Sequence, residues 1–301
     1  MTTISIIKSR FSSLYLYHFA NLFFYARALI HIIVTFKDPL ITLQKLRNQK
    51  YPIHITTRKN KEIIIHNKLE LSIILKGLTN WIKFESTTMI LNVKNHCLKF
   101  SDHKTIDLDI FFKKLYSKLP VSGKVVIDIG GNVGDSALLY SILNAKKIVM
   151  IEPQPKFFQS AKRNIELNNM LNKIDLFNCA ISKDSGHMWL NYESSDKKFE
   201  ITEDKEKGIK IPKITLEELL SKYDEKTFVL KMDCEGCEYD VLLSASEEVL
   251  KKFNYILIEF HSGFVNISKK LKNCGFTVKL LNSRYTPKKS FRGHILAKKR
   301  L

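Results

Sequence analysis

From residue 120 onward, short apolar runs rich in β-branched residues alternate with segments of helical period. Residues 125–129, 147–151, 174–181, 227–232, 254–260, 276–281 and 294–299 read as strands. Between them, Ser136 begins an Ala- and Leu-rich helix, and Pro155 opens another that runs to about Asn168, as proline suits a first turn. Thr215 caps Leu-Glu-Glu-Leu-Leu, and 267–273 is helical, with Gly275 as its stop. Strands joined by crossover helices predict a parallel α/β sheet of seven strands, the final one inserted antiparallel as a hairpin with the sixth. Ligands in such sheets collect at the carboxyl ends of the strands, where Asp128, Glu152, Asn178, Asp233, Glu259 and His261 fall.

The first strand runs into Asp128-Ile-Gly130-Gly131-Asn132-Val-Gly134-Asp135. A strand, a glycine turn and a helix start let a backbone approach a nucleotide-like ligand closely. A dinucleotide site wants G-x-G-x-x-G, yet Asn132 stands where the second glycine belongs, and a carboxylate precedes the turn. A carboxylate repels pyrophosphate and suits the ammonium of S-adenosylmethionine. The second strand ends in Glu152-Pro153, at the spacing where doubly wound folds hold ribose hydroxyls. These residues favour a methyltransferase over a dehydrogenase.

The segment from about 125 to 281 resembles the FkbM-type S-adenosylmethionine-dependent methyltransferases. The glycine motif, Ile-Glu-Pro-Gln-Pro, Lys-Met-Asp-Cys-Glu-Gly-Cys-Glu and Ile-Leu-Ile-Glu-Phe-His occur in the family's order. Cysteines at 234 and 237 depart from the small apolar residues more usual there. The resemblance implies a Rossmann-like, seven-stranded class I methyltransferase sheet and O-methylation of a sugar or other small-molecule acceptor. The cofactor set expected is Asp128, Gly130, Gly131, Asn132, Gly134, Asp135, Glu152, Pro153, Asn178 and Asp233. His261, Asp233 and Glu259 are the candidate catalytic residues. His261 is the candidate base because imidazole titrates near neutrality. Glu235 and Glu238 are expected to orient the turn or the acceptor. Asp233 and Glu259 could share a hard divalent cation such as magnesium, but no full metal-ligand set is legible.

The 301 residues carry 49 basic and 30 acidic side chains, a net charge of +19. Residues 1–120 hold 19 basic and 7 acidic residues. This asymmetry raises an RNA methyltransferase as the alternative. Against nucleic acid, the lysines are scattered, as a lysine-rich genome would place them, and no Asn/Asp-Pro-Pro-aromatic run ends the fourth strand. The tail 284–300 has seven basic residues and no acid, the best patch for an anionic partner. Five cysteines without a secretory cleavage pattern predict a reducing, cytoplasmic compartment. The C-x-x-C at 234–237 has no second pair at ligand spacing, which argues against zinc or redox chemistry.

Residues 14–36 are long and apolar enough to span a bilayer, but Arg27 lies near their middle. Each central Leu, Ile, Phe or Val gains about 0.3–0.6 kcal/mol on insertion, whereas one Arg costs about 2.5–3.5. A packed or interfacial helix, with peripheral membrane contact through residues 11–36, is favoured over a span. A non-catalytic cofactor-binding or membrane-tethering module is therefore the third reading. Pro39 starts a second helix, and 51–65 alternates about residues 58–61 as a hairpin. Three regions result: 1–50 helical, 51–119 mixed, and 120–301 the methyltransferase domain. The charged stretch 186–212 reads as a flexible excursion.

Overall fold

The computed structural model describes residues 28–48, 50–60, 62–65, 70–71, 82–85, 88–101, 106–112, 115–191, 208–285 and 290–300. Two compact units divide the chain, Met1–Asn92 and Val93–Leu301. In the first, residues 28–35 are helical, followed by α1 (Pro39–Asn48) and the antiparallel hairpin β1 (Ile53–Thr56) and β2 (Glu62–Ile65). Ile32, Phe36, Leu46, Ile53, Ile55 and Ile65 form its core. The hairpin and the helix from Pro39 match their sequence expectation. β3 (Ile82–Glu85) and β4 (Thr88–Val93) pair antiparallel. Residues 11–27 of the expected membrane-contact segment lie outside the described residues. Among the described ones, no helix is long and apolar enough to cross a membrane.

The second unit contains β5 (His96–Phe100), α2 (Leu108–Phe112) and a 3₁₀ turn at Tyr116–Lys118 ahead of the main sheet. Next come β6 (Val125–Ile129), α3 (Asp135–Ile142), β7 (Lys147–Ile151), α4 (Pro155–Leu167), β8 (Ile174–Phe177) and β9 (Ala180–Ile181). After them follow β10 (Gly186–Asn191), β11 (Gly208–Ile214), α5 (Leu216–Leu220), β12 (Phe228–Met232), α6 (Cys237–Ser244) and α7 (Glu247–Lys251). The unit ends with β13 (Phe253–Phe260), α8 (Val265–Asn273), β14 (Phe276–Tyr285) and β15 (Phe291–Lys299). Seven strands are ordered β14-β15-β13-β12-β6-β7-β8. All neighbours are parallel except β15, which runs antiparallel between β13 and β14. This is the Rossmann-like class I methyltransferase sheet, with the final hairpin inserted as the apolar pattern predicts.

β6 and β12 lie at the centre and are buried along their whole length, which is why they read as unbroken apolar runs. On β6, Val125, Ile127 and Ile129 join side chains of α5, α6, α7 and α8 in one core. The alternation of the strand turns Asp128 to the opposite face. Local chemistry starts the helices. Pro155 occupies the first turn of α4, and Thr215 and Glu218 form a reciprocal capping box on α5.

Two sequence expectations change. The expected strand over 174–181 breaks at Asn178 and Cys179, and β9 joins a separate sheet ordered β10-β11-β9. The excursion at 186–212 is bounded by paired strands, Gly186 opposite Lys213 through Asn191 opposite Gly208. Ile209 and Ile211 alternate with lysines there, a strand signal that the surrounding charge obscured. Residues 192–207 lie outside the described residues.

Candidate active site

The ends of β6, β7, β12 and β13 carry the residues expected at the cofactor and catalytic sites. Beyond β6 the chain turns at Gly130, whose φ is +75°. A Cβ there would stand 1.8 Å from the carbonyl oxygen of Asp233, so only glycine lets the β6 and β12 ends approach this closely. The Gly130 and Gly131 N–H groups donate to the Ile151 carbonyl, and the Gly134 N–H closes the turn onto Gly131. Gly134 then caps α3 in a left-handed conformation.

Asp128 is wholly buried and opposes Lys231 in the β6–β12 register. Lys231 Nζ lies 3.0 Å from Asp128 Oδ1 and donates to the Gly130 carbonyl at 2.7 Å. The Ser136 hydroxyl donates to Asp128 Oδ2 at 2.6 Å. Asp128 is therefore not an open carboxylate at the mouth of the site. Its charge is met by Lys231 and Ser136, and the same Lys231 ammonium holds the Gly130 carbonyl of the glycine turn. Burial opposes the charge on Lys231, but Asp128 and Asp233 outweigh it and raise its pKa. Neither Lys231 nor Ser136 was foreseen, although a lysine within an otherwise apolar strand signals a buried partner.

Glu152 is also buried, with Oε2 accepting the Asn132 N–H at 2.8 Å and Oε1 the Gln154 N–H at 2.9 Å. Burial lifts its pKa to about 8, against the pull of these two N–H groups. A carboxylate oxygen has a further acceptor site beyond each of these bonds. Asn178 reaches the same turn and donates to the carbonyls of Glu152 and Pro153, so it clamps the loop. Asp135 faces away from the turn. It accepts the Asp107 and Ser136 N–H groups, and burial pushes its pKa to about 7.

On the acceptor side, β12 ends in Asp233 and β13 in Glu259, Phe260 and His261. Tyr116 donates its hydroxyl to Asp233 Oδ2 at 2.9 Å, and this residue lies outside the motifs that sequence inspection isolates. His261 is held from behind by Glu238, whose Oε1 lies 2.9 Å from Nδ1 and accepts the His261 N–H at 3.1 Å. The other ring nitrogen, Nε2, faces Glu235 Oε2 at 3.5 Å and Asp233 Oδ1 at 3.9 Å. Glu259 is opposite His294 in the β13–β15 register, with Oε2 3.1 Å from His294 Nε2. Asp233, Glu259 and His261 thus converge as expected.

Burial and the neighbouring Glu259 raise the Asp233 pKa. Glu259 falls below the usual carboxylate range, since His294 and His261 overcome the upward push of burial. For His261, burial favours the neutral ring, but Glu235 and Glu238 outweigh it and lift the pKa to about 10. The carboxylates around the ring therefore favour its protonated form.

The loop between β12 and α6 holds a second departure. Cys234 and Cys237 form a disulfide around Glu235 and Gly236, whereas the sequence suggested reduced thiols. Cys237 opens α6, and the turn through Glu235 and Gly236, with φ of +55° and +130°, folds the chain back so that Cys234 reaches it.

A cavity of about 210 Å³ adjoins the acceptor cluster. Its walls include Asp107, Asp109, Tyr116, Glu259, Arg284 and His294.

Several solved structures are similar at low identity, each with a TM-score below 0.5. The METTL16 methyltransferase domain aligns with a TM-score of 0.47 and 13% identity, covering 87% of this chain and 92% of that one. Precorrin-6y C5,15-methyltransferase from Geobacter metallireducens has a TM-score of 0.42 and 12% identity, over 67% and 94%. TrmK from M. capricolum, solved with S-adenosylhomocysteine, has a TM-score of 0.43 and 14% identity, over 65% and 69%. No curated protein matches the sequence. The model of the methyltransferase FkbM domain matches residues 128–278, half of the chain. With the glycine turn on β6, Glu152 at the end of β7 and the strand-end acids inside that span, the chain belongs to the FkbM family of S-adenosylmethionine-dependent methyltransferases.

Proposed function

We propose that this protein transfers the methyl group of S-adenosylmethionine to a hydroxyl oxygen of a sugar or another small polyol-like acceptor. The observation that carries this reading is the cavity walled in part by Glu259 and by Tyr116, the partner of Asp233. Asp107, Asp109 and Glu259 on its wall outnumber Arg284, its single Arg or Lys. Carboxylates accept hydrogen bonds from hydroxyls and repel phosphate, so the lining suits a neutral polyol better than a nucleic-acid backbone.

In the transfer, the acceptor oxygen attacks the methyl carbon in line with sulfur. The O–C bond forms as the C–S bond breaks, and its electron pair stays on sulfur to give S-adenosylhomocysteine. Most of the rate comes from holding the oxygen at that geometry. Asp233 and Glu259 hold the hydroxyl, Glu238 orients His261 beside it, and the carboxylates around the ring take the released proton. Glu152 receives the ribose hydroxyls.

The test is incubation of the protein with methyl-labelled cofactor and separated glycan, lipid and RNA fractions. Label is expected in an O-methyl group of a glycan or small polyol. Label confined to RNA would replace this reading with the nucleic-acid one. Cofactor binding without transfer to any fraction would favour a non-catalytic module.

A further inference from the structure

One carboxylate oxygen each of Asp233 and Glu259 and one ring nitrogen of His261 lie within 4.8 Å of one another. Each group is oriented by a partner outside the three. Tyr116 holds Asp233 through Oδ2, which leaves Oδ1 toward the ring. His294 holds Glu259 through Oε2, and Glu238 holds His261 through Nδ1. A histidine whose Nδ1 is fixed by a carboxylate presents Nε2 with a defined tautomer and direction, as metal-ligating histidines do. His261 is 95% buried, yet Nε2 finds its nearest acceptors at 3.5 and 3.9 Å. Charge-assisted hydrogen bonds would close to about 2.7–2.9 Å. Ligands about 2.1 Å from a six-coordinate cation stand roughly 3 Å apart when adjacent and 4.2 Å when opposite, a range that includes the 3.9 Å between His261 Nε2 and Asp233 Oδ1.

We infer that Asp233, Glu259 and His261 form a binding site for one divalent cation of the Mg²⁺/Mn²⁺ class. Two carboxylates select hard cations, and the imidazole moves the preference toward Mn²⁺. Three protein ligands leave positions open on the side of the cavity, where Glu259 forms part of the wall. Resting on the acceptor reading above, the inference gives those positions to two neighbouring hydroxyls of a polyol.

The cation is tested without an acceptor. Mn²⁺ is titrated into the full-length protein with S-adenosylhomocysteine present, and the free ion is followed by electron paramagnetic resonance. One Mn²⁺ per chain is expected, competed by Mg²⁺. Asp233→Asn and Glu259→Gln should each weaken it by about 10–100-fold or more, with cofactor binding kept as the sign of a folded protein. Asp224→Asn, on the exposed surface, should leave it unchanged. Should one of the two variants fail to fold, the other decides. No retained Mn²⁺ at millimolar concentration, or equal retention by both variants, overturns the site. The acceptor reading is separable, because a protein that binds Mn²⁺ yet methylates only RNA loses that reading and keeps the site.

Discussion

Lys231 and Asp128 face one another across the β12–β6 register, Nζ to Oδ1 at 3.0 Å, with both side chains almost fully buried. The pair lies directly beneath the glycine turn, and the same ammonium binds the Gly130 carbonyl. Removing one member strands the other charge in the core. Lys231→Met should therefore cost about 3–5 kcal/mol in denaturant unfolding, far more than the loss of one exposed ion pair. A cost below about 1 kcal/mol would mean that Asp128 is stabilised without the lysine.

Glu152, as the proposed ribose ligand, should tie stability and cofactor affinity to pH with opposite signs. Its folded pKa of about 8 lies above the ordinary 4.5, and Asp135 at about 7 is raised in the same direction. A raised folded pKa contributes stability that is complete below the unfolded value and lost as pH rises through the folded one. The cofactor-free protein should accordingly lose thermal stability between about pH 5 and 8. Ribose hydroxyls donate to the ionised carboxylate, so S-adenosylhomocysteine affinity should rise over the upper part of that window, approaching tenfold per pH unit below the Glu152 pKa. Glu152→Gln should flatten the calorimetric pH profile. A profile unchanged in the variant would take Glu152 out of the site.

The strands were legible because central parallel strands are buried on both faces and leave unbroken apolar runs. The strand-end acids were legible because the fold places ligands at those ends. What each acid does was not, since that depends on contacts distant in sequence. Asp128 looks free until β12 is laid beside β6 and Lys231 arrives at its level. His261 looks unsupported until α6 brings Glu238 against Nδ1. Tyr116 reaches Asp233 from before the first strand of the main sheet, with no local pattern to announce it.

Cys234 and Cys237 offer a direct chemical check. The chain has five cysteines, and outside the disulfide Cys97 is exposed while Cys179 and Cys274 are buried. Burial pushes the Cys179 thiol up to about 11, so little of it is thiolate at neutral pH. Without reductant, the native protein should give one fast-reacting thiol and the denatured protein three. Prior reduction should raise the denatured count to five. Five thiols in unreduced, denatured protein would show that the loop around Glu235 is held without a disulfide.

Gly130 and Gly123 separate conformational strain from close packing. Both have positive φ, +75° and +68°. A Cβ at Gly123 would meet nothing within 4 Å, whereas at Gly130 it would sit 1.8 Å from the Asp233 carbonyl oxygen, against backbone that cannot rotate away. Gly123→Ala should cost only the left-handed penalty of about 1–2 kcal/mol and leave cofactor binding intact. Gly130→Ala carries the same penalty and must also part the β6 and β12 ends, which displaces the glycine turn and Asp233 together. Its melting temperature should fall further than that of Gly123→Ala, and its affinity for S-adenosylhomocysteine should drop even where it remains folded. Equal melting temperatures and equal affinities in the two variants would show that the strand ends have slack. The contact between Gly130 and Asp233 would then not be what joins the cofactor turn to the acceptor cluster.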